Sequence, residues 1–149
     1  SVNLFDLIGE IKNLLAEEIK TSETQIVETY DKNFNINIVK TLLHAVLLNI
    51  IQNSIKYKND FIIPYIFIDV IQNASEIIIK ISDNGIGIDL NKYGDQIFNL
   101  YSRFHSNLKQ GKGIGLYLVK NHMEIIGGEI HIESKPNEGT TLFLRISKD

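Results

Sequence analysis

Residues Asn49 to Tyr57 read N-I-I-Q-N-S-I-K-Y, and they close a run from about Ile38 that has helical spacing and contains neither proline nor glycine. Val39, Leu43, Val46 and Ile50 fall on one side of that helix, and Leu48, Ile51 and Ile55 on another. A helix apolar around most of its circumference is expected to be covered on most faces. Asn49, Asn53 and Lys56 nevertheless recur at i, i+4 and i+7, so they form one polar stripe. Two amides and an ammonium in a covered place need partners, because each one left unpaired costs about 1–3 kcal/mol. Two arrangements meet that need. The side chains can cap strands or loops within the core, or they can face an anionic, metal-bearing ligand. In the second case the amide oxygens would meet a hard cation and the ammonium a phosphate.

The rest of the composition narrows the setting. A chain of 149 residues with 44% apolar and 22% charged residues suits one globular domain, here 1–149. The net charge of −3, without a window dense in Lys or Arg, gives no electrostatic footprint for nucleic acid. Cysteine is absent, which removes disulfides, thiolate nucleophiles and thiolate metal sites. No apolar run approaches the length of a membrane span, so a soluble, cytoplasmic domain is expected, with a parent that could still be membrane-anchored. The chain starts at Ser1 without a methionine, from which an excised fragment of a longer protein is expected.

Along the chain, residues 4–20 have helical spacing, and Thr24–Tyr30 suits a short edge strand. Asn33–Asn37 is turn-like and offers an asparagine to cap the helix that follows. Tyr65–Gln72 and Glu76–Ser82 are isoleucine-rich strands joined tightly through Asn73-Ala74-Ser75. A polar, irregular stretch runs from Asp89 to Gln110, in which Phe98, Tyr101 and Phe104 are expected to anchor a loop to the body. A helix spans Leu116–Ile126 and stops at Gly127-Gly128. Glu129–Ser134 and Thr140–Ile146 pair around Pro136-Asn137-Glu138-Gly139. This order predicts an α+β fold with helices on one face of a mixed, mainly antiparallel sheet.

Two glycine clusters carry chemistry as well as turns. Asp83-Asn84-Gly85-Ile86-Gly87 breaks a strand. It reads either as a plain turn or as a carboxylate placed to accept from the exocyclic amine of a base, with glycines that let the backbone approach a flat ring. Gly111-Lys112-Gly113-Ile114-Gly115 stands directly before a helix, where backbone N–H groups and the positive helix end can face an anion. A flexible hinge is the alternative reading there. The spacing fits neither a Walker A loop nor a dinucleotide-binding fingerprint. The four histidines, at 44, 105, 122 and 131, have no zinc-site spacing, and no serine nucleophile motif occurs.

Taken in order, these stretches resemble the four boxes of the GHKL (Bergerat) ATP-binding fold, and most of all the catalytic, ATP-binding domain of a sensor histidine kinase. Asn49-x-x-x-Asn53-x-x-Lys56-Tyr57 is similar to the N box and Asp83-x-Gly85-x-Gly87 to the G1 box. Ile97-Phe98 through Phe104 resembles the F box, with Tyr101 where phenylalanine is commoner. Gly111 to Leu116 resembles the G2 box, with Lys112 where threonine is frequent, and Gly127-Gly128 with Gly139-Thr140-Thr141 the closing segment. The resemblance covers nearly the whole chain. It implies a two-layer α/β sandwich with a sheet of about five strands and a flexible ATP lid at about 89–112.

The resemblance also implies roles. Asn53, with Asn49, would coordinate Mg²⁺. Lys56 would meet phosphate oxygens, Tyr57 would pack on adenine, and Asp83 would accept from its amine. Gly85, Gly87, Leu116 and Thr140 would line the nucleotide, and the amides of Gly111, Lys112, Gly113, Ile114 and Gly115 would hold the phosphates. Lys112 and Arg103 would add charge near the departing γ-phosphoryl group, so Asn49, Lys56 and Arg103 are the catalytic candidates. In the hydrolases of the family a glutamate four residues before the N-box asparagine activates water. Here that position is Asn49, which cannot act as a general base, so poor intrinsic ATP hydrolysis is expected.

A phosphate acceptor is not found in the chain, since none of its histidines lies in an H-E-x-x-x-P type motif. The resemblance therefore implies a histidine-bearing dimerisation hairpin elsewhere in the full-length protein, upstream of Ser1, and a response regulator as indirect partner. The isolated fragment is expected to be monomeric. The alternatives are an anti-sigma-factor type serine kinase of the same fold and a non-catalytic nucleotide-binding gating module.

Overall fold

The computed structural model describes residues 1–94, 96–99 and 115–148. In chain order these form β1 (Val2–Asn3), α1 (Leu4–Leu14), α2 (Ala16–Ser22), β2 (Gln25–Glu28), β3 (Asn35–Ile36), α3 (Lys40–Lys56), β4 (Tyr65–Gln72) and β5 (Glu76–Asp83). There follow α4 (Leu90–Tyr93), α5 (Gly115–Ile126), β6 (Glu129–Lys135) and β7 (Gly139–Ser147). Five strands make one sheet in the order β2-β4-β5-β7-β6, in which β2 runs parallel to β4 and every other pair is antiparallel. β1 and β3 form a separate two-stranded ladder.

Side-chain alternation decides which face of the sheet is covered. Ile66 and Ile68 of β4, Ile77, Ile79 and Ile81 of β5, and Leu142, Leu144 and Ile146 of β7 point to one side and are buried. They share a core with Leu4, Leu7, Ile8 and Ile11 of α1, with Leu43, Val46, Leu47, Ile50 and Ile51 of α3, and with Leu116, Val119 and Met123 of α5. The opposite side keeps Tyr65, Phe67 and Ile71 of β4 exposed, and Tyr65 stacks on Phe67 with ring centroids 5.8 Å apart. Each core aliphatic removed from water contributes about 1.5–3 kcal/mol, so α3, buried along two sides, is the element the sheet is built against. This is the expected α+β sandwich. Among the described residues no helix is long and apolar enough to cross a membrane.

Local chemistry differs from the sequence expectations in four places. The spacing at residues 4–20 suggested one helical run, but the chain breaks at Leu15 and continues as α2. The expected asparagine cap of α3 is absent: Val39 occupies the N-cap position with no side-chain bond, and Asn35 is drawn instead into β3. An apolar core covering α3 makes the missing cap bond tolerable, since packing carries most helical stability in proteins. The stretch after Asp89 is not irregular from its start, because the Asp89 carboxylate accepts from the N–H groups of Asn91 and Lys92 and starts the single turn α4. The edge strand also stops at Glu28, short of Tyr30. Phe98 packs on the core beside buried Ile97, as an anchoring residue should. Tyr101 and Phe104, with the greater part of the expected lid, lie outside the described residues.

The edge strand is tied to the N-terminal helices by a small polar cluster. Lys12 Nζ lies 2.6 Å from Glu28 Oε2, and the Tyr30 hydroxyl donates to Glu28 Oε1. Burial, then the hydrogen bond to and the charge of Glu28, push the Tyr30 phenol above its ordinary range. The neutral phenol is therefore favoured in the folded state. Its contribution is full below about pH 10, where the unfolded phenol begins to ionise, and is lost as pH rises from there through the folded value. Tyr30→Phe should lower stability at neutral pH by about 1–2 kcal/mol and flatten the alkaline fall in stability, as measured by denaturant melts at several pH values. An unchanged alkaline slope in the variant would remove Tyr30 as its source.

The β6–β7 turn is governed by a glycine. Gly139 has φ +88°, and a Cβ there would lie 2.0 Å from the carbonyl oxygen of Asp83. Gly139→Ala should therefore cost at least about 2–3 kcal/mol, from the combined backbone strain and clash. Gly9, inside α1, makes the contrast, because a Cβ added there would meet nothing within 4 Å. Gly9→Ala should stabilise by about 0.5–1 kcal/mol. Thermal melts of the two variants should shift in opposite directions.

Candidate functional site

Three chain ends meet at one margin of the core: the C-terminal turns of α3, the end of β5 and the start of α5. Asn49, Asn53 and Lys56 do share one face of α3, but they are half-buried rather than enclosed, which corrects the expectation of a fully covered stripe. Asn49 Nδ2 donates to the carbonyl of Ala45 at 3.0 Å, one turn back on the same helix. Among the described residues no hydrogen bond joins the Asn53 or Lys56 side chain to a strand or loop. The Lys56 ammonium stands 5.2 Å from the centroid of the Tyr57 ring.

Asn53 sits against the beginning of α5. A Cβ built on Gly115 would be 3.0 Å from Asn53 Nδ2 and 3.4 Å from its Oδ1. An amide able to serve a hard cation is thus set beside the first described turn of a helix, where anions are favoured. Leu116, the next residue, is buried in the core and holds that turn in place.

Asp83 ends β5 with its carboxylate tied on both oxygens. Oδ1 accepts from the Gly85 N–H at 2.9 Å and the Thr140 N–H at 3.2 Å, and Oδ2 accepts from the Ser54 hydroxyl at 2.9 Å. Asn84 braces the same turn: its Oδ1 accepts from the Tyr65 N–H and its Nδ2 donates to the Ile63 carbonyl, both at 2.9 Å. The Ile86 N–H donates to the Tyr57 carbonyl at 3.0 Å, which joins the turn to the end of α3.

The close approaches at Gly85 and Gly87 are to the chain's own backbone. A Cβ on Gly85 would meet the Tyr57 carbonyl oxygen at 2.6 Å, and one on Gly87, at φ +71°, would meet that of Lys135 at 1.9 Å. Their packing role was not foreseen from the motif. Thr140 contributes its N–H to Asp83, while its hydroxyl lies 2.8 Å from Ser134 Oγ. Ser134 in turn accepts from the Ile88 N–H at 2.8 Å. Ser54 and Ser134 were missed by sequence reasoning. A signal existed for Ser54, a polar residue four positions after Ile50 on the apolar side of the helix; none existed for Ser134.

Arg103, Gly111, Lys112, Gly113 and Ile114 lie outside the described residues. Among those described, no cluster of three His, Cys, Asp or Glu side chains could hold a metal ion. Among the described residues the amide oxygens of Asn53 and Asn49 are atoms that could hold a cation together with ligand oxygens and water. Because Asn49 commits its Nδ2 to Ala45, the amide presents its oxygen as the remaining ligand atom. That donor set suits Mg²⁺, which takes few protein ligands.

Comparison with known proteins bears on the family and the fold. Residues 38–149 match the family model described as histidine kinase-, DNA gyrase B- and HSP90-like ATPase. Cyanobacterial phytochrome A of Nostoc sp. (strain PCC 7120) is 32% identical over 128 residues, which is 85% of this chain and 16% of that protein. The methanogenesis regulatory histidine kinase FilI of Methanothrix harundinacea is 30% identical over 111 residues, which is 74% of this chain and 12% of that protein. The chain thus spans a small part of the length of the curated relatives it matches. The catalytic domain of the histidine kinase ThkA, in a nucleotide-free form, superposes with a TM-score of 0.81 over 98% of this chain and 95% of that one, at 23% identity. Mycobacterial sensor histidine kinase MprB superposes with a TM-score of 0.80 over 98% of this chain and 96% of that one, at 19% identity. At such identities the two structures speak for the fold. With its family-model match running from α3 to the C-terminus, the chain belongs to the histidine kinase-, DNA gyrase B- and HSP90-like ATPases.

Proposed function

We propose that the chain binds Mg-ATP and supplies its γ-phosphoryl group to a histidine on a separate helical hairpin, as the catalytic domain of a two-component sensor histidine kinase. The observation that carries this reading is the placing of the Asn53 amide against the first described turn of α5. It brings a ligand for a hard cation and an anion-attracting helix end within reach of one polyphosphate. The names of the curated relatives, among them the histidine kinase FilI and the circadian input-output histidine kinase CikA, support histidine over serine as the acceptor.

In this reading Asp83 receives the adenine amine and the Tyr57 ring packs on the base. Lys56 neutralises phosphate charge, and Asn53 and Asn49 would hold Mg²⁺, which would supply positive charge to the phosphates. Gly111, Lys112, Gly113 and Ile114 would give backbone N–H groups to the phosphates, with Lys112 and Arg103 adding charge at the leaving γ-phosphoryl group. Such chemistry is largely positioning and charge stabilisation, so it needs no base on the domain itself. Asn49, an amide already bonded to Ala45, cannot deprotonate water. The phosphate is thereby kept for a protein acceptor, on a hairpin of the full-length protein and in turn for a response regulator. In this reading the domain works in the cytoplasm, where it would meet ATP and that regulator.

Titration calorimetry with a non-hydrolysable ATP analogue tests the reading. The wild-type chain should bind it in a Mg²⁺-dependent manner, Asp83→Asn should weaken binding by at least about tenfold, and Asn53→Ala should abolish the Mg²⁺ dependence. An absence of any adenine-nucleotide binding by the wild-type chain would overturn it. Separately, steady-state ATP hydrolysis should stay near background; turnover like that of a true ATPase would contradict the role given to Asn49.

A further inference from the structure

Ser54 is only 7% exposed, and it lies on the side of α3 that elsewhere carries Leu47, Ile50 and Ile51. Alanine would fill that position with better helix propensity and no polar atom to satisfy. A serine inside a helix usually returns its hydroxyl to its own helix backbone. Ser54 instead reaches out of α3 to Asp83 Oδ2 at 2.9 Å, across 29 residues of sequence. The bond is charge-assisted, which is the strong kind.

The geometry of the three bonds gives the serine a specific task. Both backbone donors, the Gly85 and Thr140 N–H groups, converge on Oδ1. The terminal torsion of an aspartate is intrinsically broad, and turning it moves both oxygens, so donors on each of them hold the carboxylate plane. The bond from Ser54 to the other oxygen adds a restraint on that plane from α3. We propose that Ser54 is a positioning residue that fixes the plane of the Asp83 carboxylate, and thereby sets the preference for adenine over hypoxanthine in the bound nucleotide. The inference rests on the nucleotide reading above. An amine on the base needs an acceptor held at a defined place and angle; a carbonyl at the same position gains nothing from it. Small misplacements of an orienting group are costly out of proportion to their size.

The test is a comparison of ATP with inosine triphosphate on the 149-residue chain, by equilibrium titration with Mg²⁺ present. Wild type should prefer ATP. Ser54→Ala should lose about tenfold in ATP affinity with inosine triphosphate affinity within about twofold of wild type, and Ser54→Thr, which keeps the hydroxyl, should recover the preference. Asp83→Asn exchanges one carboxylate oxygen for a donating NH2 and should also collapse the ratio. A purely structural role for Ser54 predicts something else: both nucleotides weaken together and the ratio survives. That result, or a Ser54→Ala variant identical to wild type, would overturn the inference alone while Asp83→Asn still reports the site. A wild-type chain that binds neither nucleotide would overturn the nucleotide reading and this inference together. Should Ser54→Ala fail to fold, Ser54→Cys preserves the volume, offers only a weak donor, and reads the same ratio.

Discussion

The carboxylate of Asp83 is the point on which the rest of the site depends. It draws its donors from three elements that are far apart in sequence: Ser54 of α3, the Gly85 turn, and Thr140 of β7. A half-buried carboxylate with this many donors is a structural tie at the sheet end. The tie also explains the glycines around it. Gly139 must be a glycine for β7 to pass the Asp83 carbonyl, and Gly85 must be one for the turn to pass the Tyr57 carbonyl. Backbone contacts so close allow little independent motion of α3, β5 and β7, so the Asp83 carboxylate and the polar stripe of α3 are held as one unit.

On the other side of that unit, the stripe on α3 faces an element that sequence alone places only loosely. Gly115 brings α5 to within van der Waals reach of Asn53, and the burial of Leu116, Val119 and Met123 keeps it there. The core therefore does more than stabilise. The same helix that anchors the sheet through Leu43, Leu47 and Ile51 presents Asn49, Asn53 and Lys56 on its less buried side, so packing and the polar stripe are divided between two faces of one element. An aspartate or glutamate at position 49 would offer a base for water; an asparagine bonded to Ala45 does not.

Much of this was legible in the residues. Isoleucine-rich runs announced β4 and β5, Gly127-Gly128 marked the end of α5, and the i, i+4, i+7 spacing placed the stripe on one face of α3. What failed to show was set by tertiary contacts. Val39 can stand uncapped because the core, not the cap, holds α3. Leu15 breaks the first helix although the periodicity continues past it, and Asp89 starts a turn of helix where composition suggests only loop. The partners of Gly85 and Gly87 are carbonyls brought in from Tyr57 and Lys135, and Ser54 gains its meaning from a residue on another strand. No local pattern encodes those distances.

The central claim, that the Asp83 turn and the α3–α5 contact together form a nucleotide site, is tested most directly by amide-resolved NMR of the chain titrated with Mg²⁺ and a non-hydrolysable ATP analogue. The account predicts that the largest shift changes fall on the amides of Gly85, Thr140, Asn53 to Tyr57 and Gly115, while Phe67 and Ile71 on the exposed face of the sheet stay in place. Saturating nucleotide that leaves Gly85 and Thr140 unmoved, or that perturbs the exposed face instead, would contradict it.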